Sequence, residues 1–193
     1  MDTLSEDGLA IAVSEKWVRS VVVGLDFCPF ARRELEGGTI RFHVSRATTV
    51  EDCCAALLDE LFGMDGDEKI ESALLILNKG FDAFDAYLML VGAGEACLES
   101  AGYEGVYQLA SFHPDYCFVD SSPDDAGNYT NRSPYPMIHI LRAATVEAAI
   151  DQHPDAEGIP NRNIEVAREM GVDALKALRE QCWFDDAGQR LDG

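Results

Sequence analysis

Four short apolar stretches recur along this chain, each separated from the next by a helix-like pattern. They begin near residues 39, 73, 106 and 137, a spacing of about thirty residues, the length of one βα unit. The first, Thr39 to Ser45, alternates: Ile40, Phe42 and Val44 face one way, and Arg41, His43 and Ser45 face the other. That is a half-buried strand. Ala73–Leu77 is a short continuous apolar strand, and Val106–Phe112 and Met137–Leu141 are read as the third and fourth strands. Strands that alternate with helices predict an α/β (or α+β) domain with an open sheet of about four strands, parallel or mixed.

The intervening segments carry helix signals. Ser5 is placed to cap a first helix, in which Leu9, Val13, Trp17 and Val21 form one face until Gly24. Pro29 suits a first helical position with Cys28 as its cap, and Gly37-Gly38 ends that turn. Thr49 and Asp52 form a capping-box-like start. A helix from Asp82 is expected to stop near Gly92-Ala93-Gly94. Thr145 is read as the cap of a helix over residues 146–152. Asn163 is read as the cap of a last helical pair around Gly171. The expected organisation is one domain over residues 1–183 and a frayed polar tail over 184–193. Residues 42–51 (FHVSRATTVE) and 138–147 (IHILRAATVE) echo one another. Strand-to-helix junctions resemble each other for local reasons, and a ten-residue match is short for a duplicated unit.

Between the third and fourth strands lies the longest segment without an apolar pattern. Phe112 to Arg142 holds His113, His139, Asn128, Asn131, Arg132 and Arg142, with four of the seven prolines. It is anchored on a strand at both ends, so an ordered loop is expected, and long ordered loops in small domains are commonly functional.

Charge and cysteine usage narrow the function classes. The net charge is −20, with four lysines, so the surface repels nucleic acid and anionic membranes. Neither is expected as a partner. No apolar run reaches the roughly 18 residues of a membrane span. The start MDTLSEDG has no basic n-region, so no secretory signal is expected and the protein is read as cytoplasmic. None of the six cysteines forms a Cys-x-x-Cys pair, which points to free thiols rather than disulfides or structural zinc. Oligomeric state is left open.

Three separated motifs, GLDFCPFA, QLASFHPDY and NYTNRSPYPMIHILR, resemble one bacterial family, domain of unknown function 1415. The resemblance runs from Trp17 to about Leu178. It implies a single cytoplasmic domain and brings no activity, cofactor or catalytic residue with it.

The residues themselves supply the candidates. Cys28, before a helix-starting proline, is placed where a helix dipole would favour its thiolate, and is read as a nucleophile. Its context Phe-Cys-Pro-Phe-Ala also looks like the active-site turn of glutaredoxins and omega-class glutathione transferases. That fold needs a strand over Val18–Val23, where the periodicity favours helix. The plain alternative is a buried cysteine. His113 closes a strand at its carboxyl end, where ligands bind in open α/β sheets. His113 and His139 are read as acid/base candidates, against the alternative of packing histidines. Arg132 and Arg142, with Asn128 and Asn131, are read as holding a small anionic substrate. In the alternative these side chains bond the loop's own backbone. No metal site is assigned: His113, His139 and a loop aspartate have suitable ligand types, but no ligand spacing supports them. The phosphate loop, the dinucleotide fingerprint and the Gly-x-Ser-x-Gly elbow are all missing, so no cofactor is assigned.

The reading that follows is a small enzyme acting on a small anionic substrate, in a pocket under residues 113–136. A non-catalytic anion-binding or interaction module and a purely structural loop stand as alternatives.

Overall fold

The computed structural model describes residues 4–192. Its elements are α1 (Glu6–Trp17), a π-helical segment (Val18–Val23), α2 (Ala31–Gly37), β1 (Ile40–Ser45), α3 (Val50–Asp65), β2 (Ser72–Leu77), α4 (Phe84–Ser100) and β3 (Tyr107–Phe112). A 3-10 turn (Ala126–Thr130), β4 (Met137–Arg142), α5 (Ala143–Gln152), α6 (Ile159–Met170) and α7 (Val172–Gln181) follow. The strands make one open mixed sheet in the order β1-β2-β4-β3. β1 and β2 are parallel, and β4 enters antiparallel between β2 and β3. The expected α/β architecture with about four strands is therefore present.

Register decides which side chains share a face. Phe42, Leu74, His139 and Ala110 stand in one row across the sheet, and His43, Leu75, Ile138 and Ser111 in the next. Successive residues alternate sides, so these rows face opposite ways. On the first face, Leu74, Ile76 and Met137 pack against Val13, Trp17, Val18 and Val21 of α1 and the π-helical segment, with Ala167 of α6 and Leu175 of α7. On the second, Ala73, Leu75, Ile138 and Ile140 pack against Leu57 and Leu61 of α3 and Tyr87 and Leu90 of α4. All six residues of β2 are buried, which explains the uninterrupted apolar run Ala73–Leu77.

Several local expectations hold. The Ser5 hydroxyl accepts from the Gly8 amide at 3.1 Å and caps α1. Thr49 caps α3, accepting from the Asp52 amide at 3.2 Å while donating to the Asp52 carboxylate at 2.7 Å. The helical run of α1 and the π-helical segment ends at Val23, with Gly24 as its cap, where a Cβ would collide with the Ser20 carbonyl oxygen.

Others are corrected. α4 runs straight through Gly92 and Gly94 to Ser100. Gly94 is there for packing: a Cβ would sit 3.2 Å from Leu57 of α3 and 3.4 Å from Leu109 of β3. α2 begins at Ala31, and Cys28 lies outside it, its carbonyl accepting from the Ala31 amide at 3.2 Å. α5 begins at Ala143, and the Thr145 hydroxyl donates to the Glu71 carboxylate at 2.7 Å instead of capping. α6 starts at Ile159 with a proline in its first turn, and Asn163 is buried within it, donating to the Phe27 carbonyl at 2.5 Å. Residues 183–191 fold back: Leu191 donates to the Trp183 carbonyl at 2.9 Å, and a bridge joins Phe184 to Arg190. The echoing segments put His43 and His139 on opposite faces of strands that run in opposite directions.

Candidate functional site

The loop over residues 113–136 is held by its own side chains. His113 is fully buried; its Nε2–H donates to the Phe81 carbonyl at 2.9 Å and its Nδ1 accepts from the Asp115 amide at 3.0 Å. These partners select the neutral tautomer, and burial pushes its pKa down. Asn128, also fully buried, accepts from the Phe118 amide at 3.1 Å and donates to the Ser122 carbonyl at 2.8 Å. Asn131 donates to the Ser111 carbonyl at 3.2 Å and accepts from the Thr130 hydroxyl at 3.0 Å. Arg132 donates to the carbonyls of Tyr116 and Pro123 at 2.9 and 2.8 Å, its guanidinium over the Tyr129 ring. Arg142 sits at the other end of the sheet and donates to the carbonyls of Ile70 and Met64 at 2.9 and 2.5 Å.

A cavity lies elsewhere. It has a volume of about 690 Å³, within the usual range for small-molecule sites, and opens on the first face of the sheet. Leu74, Ala110, Phe112 and Leu141 form its floor; Trp17, Val18 and Val22 form one wall, and Phe30, Ala144 and Ala149 others. Of the sequence-derived candidates, Cys28 and His139 line it, as does Arg142 with its guanidinium committed to backbone carbonyls. His113, Asn128, Asn131 and Arg132 do not. The fold thus brings Cys28 and His139 to one cavity and leaves His113 and the loop's polar residues outside it. His43, on the other face, pairs with Glu60 of α3 at 2.6 Å.

Two polar atoms of side chains that line the cavity have no hydrogen-bond partner among the described residues. They are His139 Nε2 and Trp17 Nε1, both shielded from solvent. Trp17 is 1% exposed. Both rings pack against Phe112, with centroids at 5.1 Å for Trp17 and 6.2 Å for His139. Burial holds the His139 imidazole down to about 4, so it is neutral at pH 7. Burial raises the Cys28 thiol and outweighs the Phe30 and Ala31 amides, which pull the other way. That is opposite to the activation expected at a helix start, and it follows from the burial of Cys28. The glutaredoxin-like reading lacks its strand, because Val18–Val23 is π-helical.

Sequence reasoning missed Trp17, Phe112 and α5 as parts of this site. Trp17 and Phe112 carry ordinary core patterns. The one local signal in α5 is its pairs of small residues, Ala143-Ala144 and Ala148-Ala149, which leave space above the sheet. Among the described residues no group of three or more His, Cys, Asp or Glu side chains is arranged to hold a metal ion. No described helix is long and apolar enough to cross a membrane.

The model of the family described as protein of unknown function (DUF1415) matches residues 10–177. The chain belongs to the DUF1415 family. The matched span contains every residue that lines the cavity. Searches of curated proteins and of solved structures return no match. The DUF1415 family description carries no activity, and the site's chemistry is the remaining guide.

Proposed function

We propose that this DUF1415 protein binds a largely apolar small molecule in the cavity on the first face of the sheet. The observation that carries this reading is a cavity of about 690 Å³ with a floor of Leu74, Ala110, Phe112 and Leu141 and a wall of Trp17, Val18 and Val22. In the same reading, His113, Asn128, Asn131 and Arg132 serve the loop's architecture, because each makes its bonds within the chain.

A second reading is thiol chemistry, favoured by Cys28 and His139 lining one cavity. It ranks lower on energetic grounds. Burial raises the Cys28 thiol and lowers the His139 imidazole, so moving a proton from the one to the other is uphill.

Calorimetric titration with uncharged apolar compounds tests the proposal. Saturable binding is expected, and Ala110→Leu, which fills the cavity floor, should weaken it at least tenfold. Cys28→Ala should leave affinity within about twofold under the binding reading and abolish turnover under the thiol reading. If no apolar compound binds, or if Ala110→Leu binds as well as wild type, the cavity is not the site.

A further inference from the structure

We propose that the cavity takes a cationic amphiphile: an apolar body lying along the sheet and ending in a protonated amine that pairs with Glu71. This inference rests on the binding reading above and specifies its ligand class.

The place of the head follows from register. Ile40, Ser72, Leu141 and Gln108 stand in one row across the sheet, on the same face as the row of Leu74, His139 and Ala110. All of these residues line the cavity. Phe112, two residues beyond Ala110, meets the Trp17 ring at 5.1 Å. The floor therefore runs from aromatic side chains at Phe112 to the polar side chains of Ser72 and Gln108, over about 13 Å at the rise of a strand. Glu71 and Thr145 line the cavity at this polar end, and the Thr145 hydroxyl donates to the Glu71 carboxylate at 2.7 Å. Ser72 beside them is 4% exposed, and its hydroxyl makes no hydrogen bond among the described residues.

Charge sets the sign of the head. Apart from histidines, the charged side chains that line the cavity are Arg33, Glu34, Glu71 and Arg142. Arg33 and Glu34 pair with each other at 2.8 Å. Arg142 donates to the carbonyls of Ile70 and Met64 and to the Tyr107 hydroxyl, which itself donates to the Asp65 carboxylate at 2.7 Å. Glu71 has a hydroxyl partner and no ion pair among the described residues. A protonated amine supplies the missing counter-charge, and its N–H groups can donate to Glu71 and to the Ser72 hydroxyl together. Glu71 is half-buried, so such a pair keeps part of its hydration and avoids the full cost of burying two charges. The net charge of −20 also draws cations toward the protein. A carboxylate or phosphate head would meet the like charge of Glu71 with both arginines already engaged. A neutral head would leave the Glu71 charge unpaired.

The test is a matched series by calorimetry at pH 7.5 and fixed ionic strength: octylamine, 1-octanol and octanoate against the full chain. Octylamine should bind about tenfold or more tightly than octanol, the scale of one charge-assisted hydrogen bond, and octanoate should bind most weakly. Glu71→Gln keeps an acceptor for Thr145 and removes the charge. It should bring octylamine to within about threefold of octanol, with circular dichroism unchanged. A folded Glu71→Gln that keeps the wild-type preference overturns the inference, because the general field of the acidic chain then accounts for it. On wild type, the amide NMR shifts that distinguish bound octylamine from bound octanol should centre on residues 71–72 and 145. A centre elsewhere overturns the placement, whether or not the variant folds. Equal binding of the three compounds, or a preference for octanol or octanoate, overturns the inference and leaves the binding reading standing. If none of the three binds, while apolar compounds of other shapes do, the inference fails alone; if nothing binds, both fail.

Discussion

Acidification should weaken this protein through His139. The imidazole borders an apolar cavity, its Nε2 has no partner among the described residues, and burial alone lowers its pKa from the ordinary 6.5 to about 4. Between those values the unfolded chain binds a proton that the folded chain refuses. The folded pKa is the depressed one, so this contribution is fully present above pH 6.5 and is lost as the pH falls toward 4. At 1.36 kcal/mol per unit the total is about 3 kcal/mol at most, and about 2.5 kcal/mol is lost by pH 4.5. That is a large share of a typical stability of about 5–15 kcal/mol. His113 shifts in the same direction, because burial lowers it as well. Protonation of carboxylates on a chain of net charge −20 relieves repulsion and opposes both. The difference between wild type and His139→Leu cancels these shared contributions. Urea unfolding at pH 7.5 and 4.5 should show wild type losing about 2.5 kcal/mol more than the variant. Equal losses would refute the reasoning. So would an NMR titration that finds the His139 ring protonating above pH 6.

The loop and the helix packing supply two further predictions. Asn128→Ala strips the partners from the Phe118 amide and the Ser122 carbonyl and should cost about 2–4 kcal/mol in chemical denaturation, with faster amide exchange confined to residues 113–136; an unchanged midpoint counts against it. Within α4, Gly92→Ala meets nothing within 4 Å and should stabilise by up to about 1 kcal/mol, whereas Gly94→Val presses on Leu57 and Leu109 and should destabilise by about 1–3 kcal/mol. Thermal melts of the pair separate a continuous α4 from a helix that ends at these glycines.

How far the fold was legible follows from the range of the forces involved. Alternation in Ile40–Ser45 and the apolar run Ala73–Leu77 report burial of each residue by itself, and both became strands at the expected places. The caps at Ser5 and Thr49 act across three residues and were legible for the same reason. Gly92-Ala93-Gly94 misled because a glycine that ends a helix and one that admits a neighbouring helix look identical in sequence. Thr145 misled because its partner, Glu71, is 74 residues away.

At the candidate site the division is sharper. Cys28 and His139 could be named from their types and positions, and that they line one cavity required β4 to enter between β2 and β3. Arg132, Asn128 and Asn131 have the same donors whether they face a ligand or a carbonyl. The fold supplied carbonyls: Tyr116 and Pro123 to Arg132, Ser122 to Asn128 and Ser111 to Asn131. By itself the sequence determined the α/β class, the strands, the helix caps at Ser5 and Thr49 and the acidic surface, because periodicity, capping and net charge are local or additive properties. Tertiary structure alone decided the strand order, the place of the cavity and which polar groups are left without a partner. Each of these depends on which distant backbone a side chain meets, and no local pattern records that meeting.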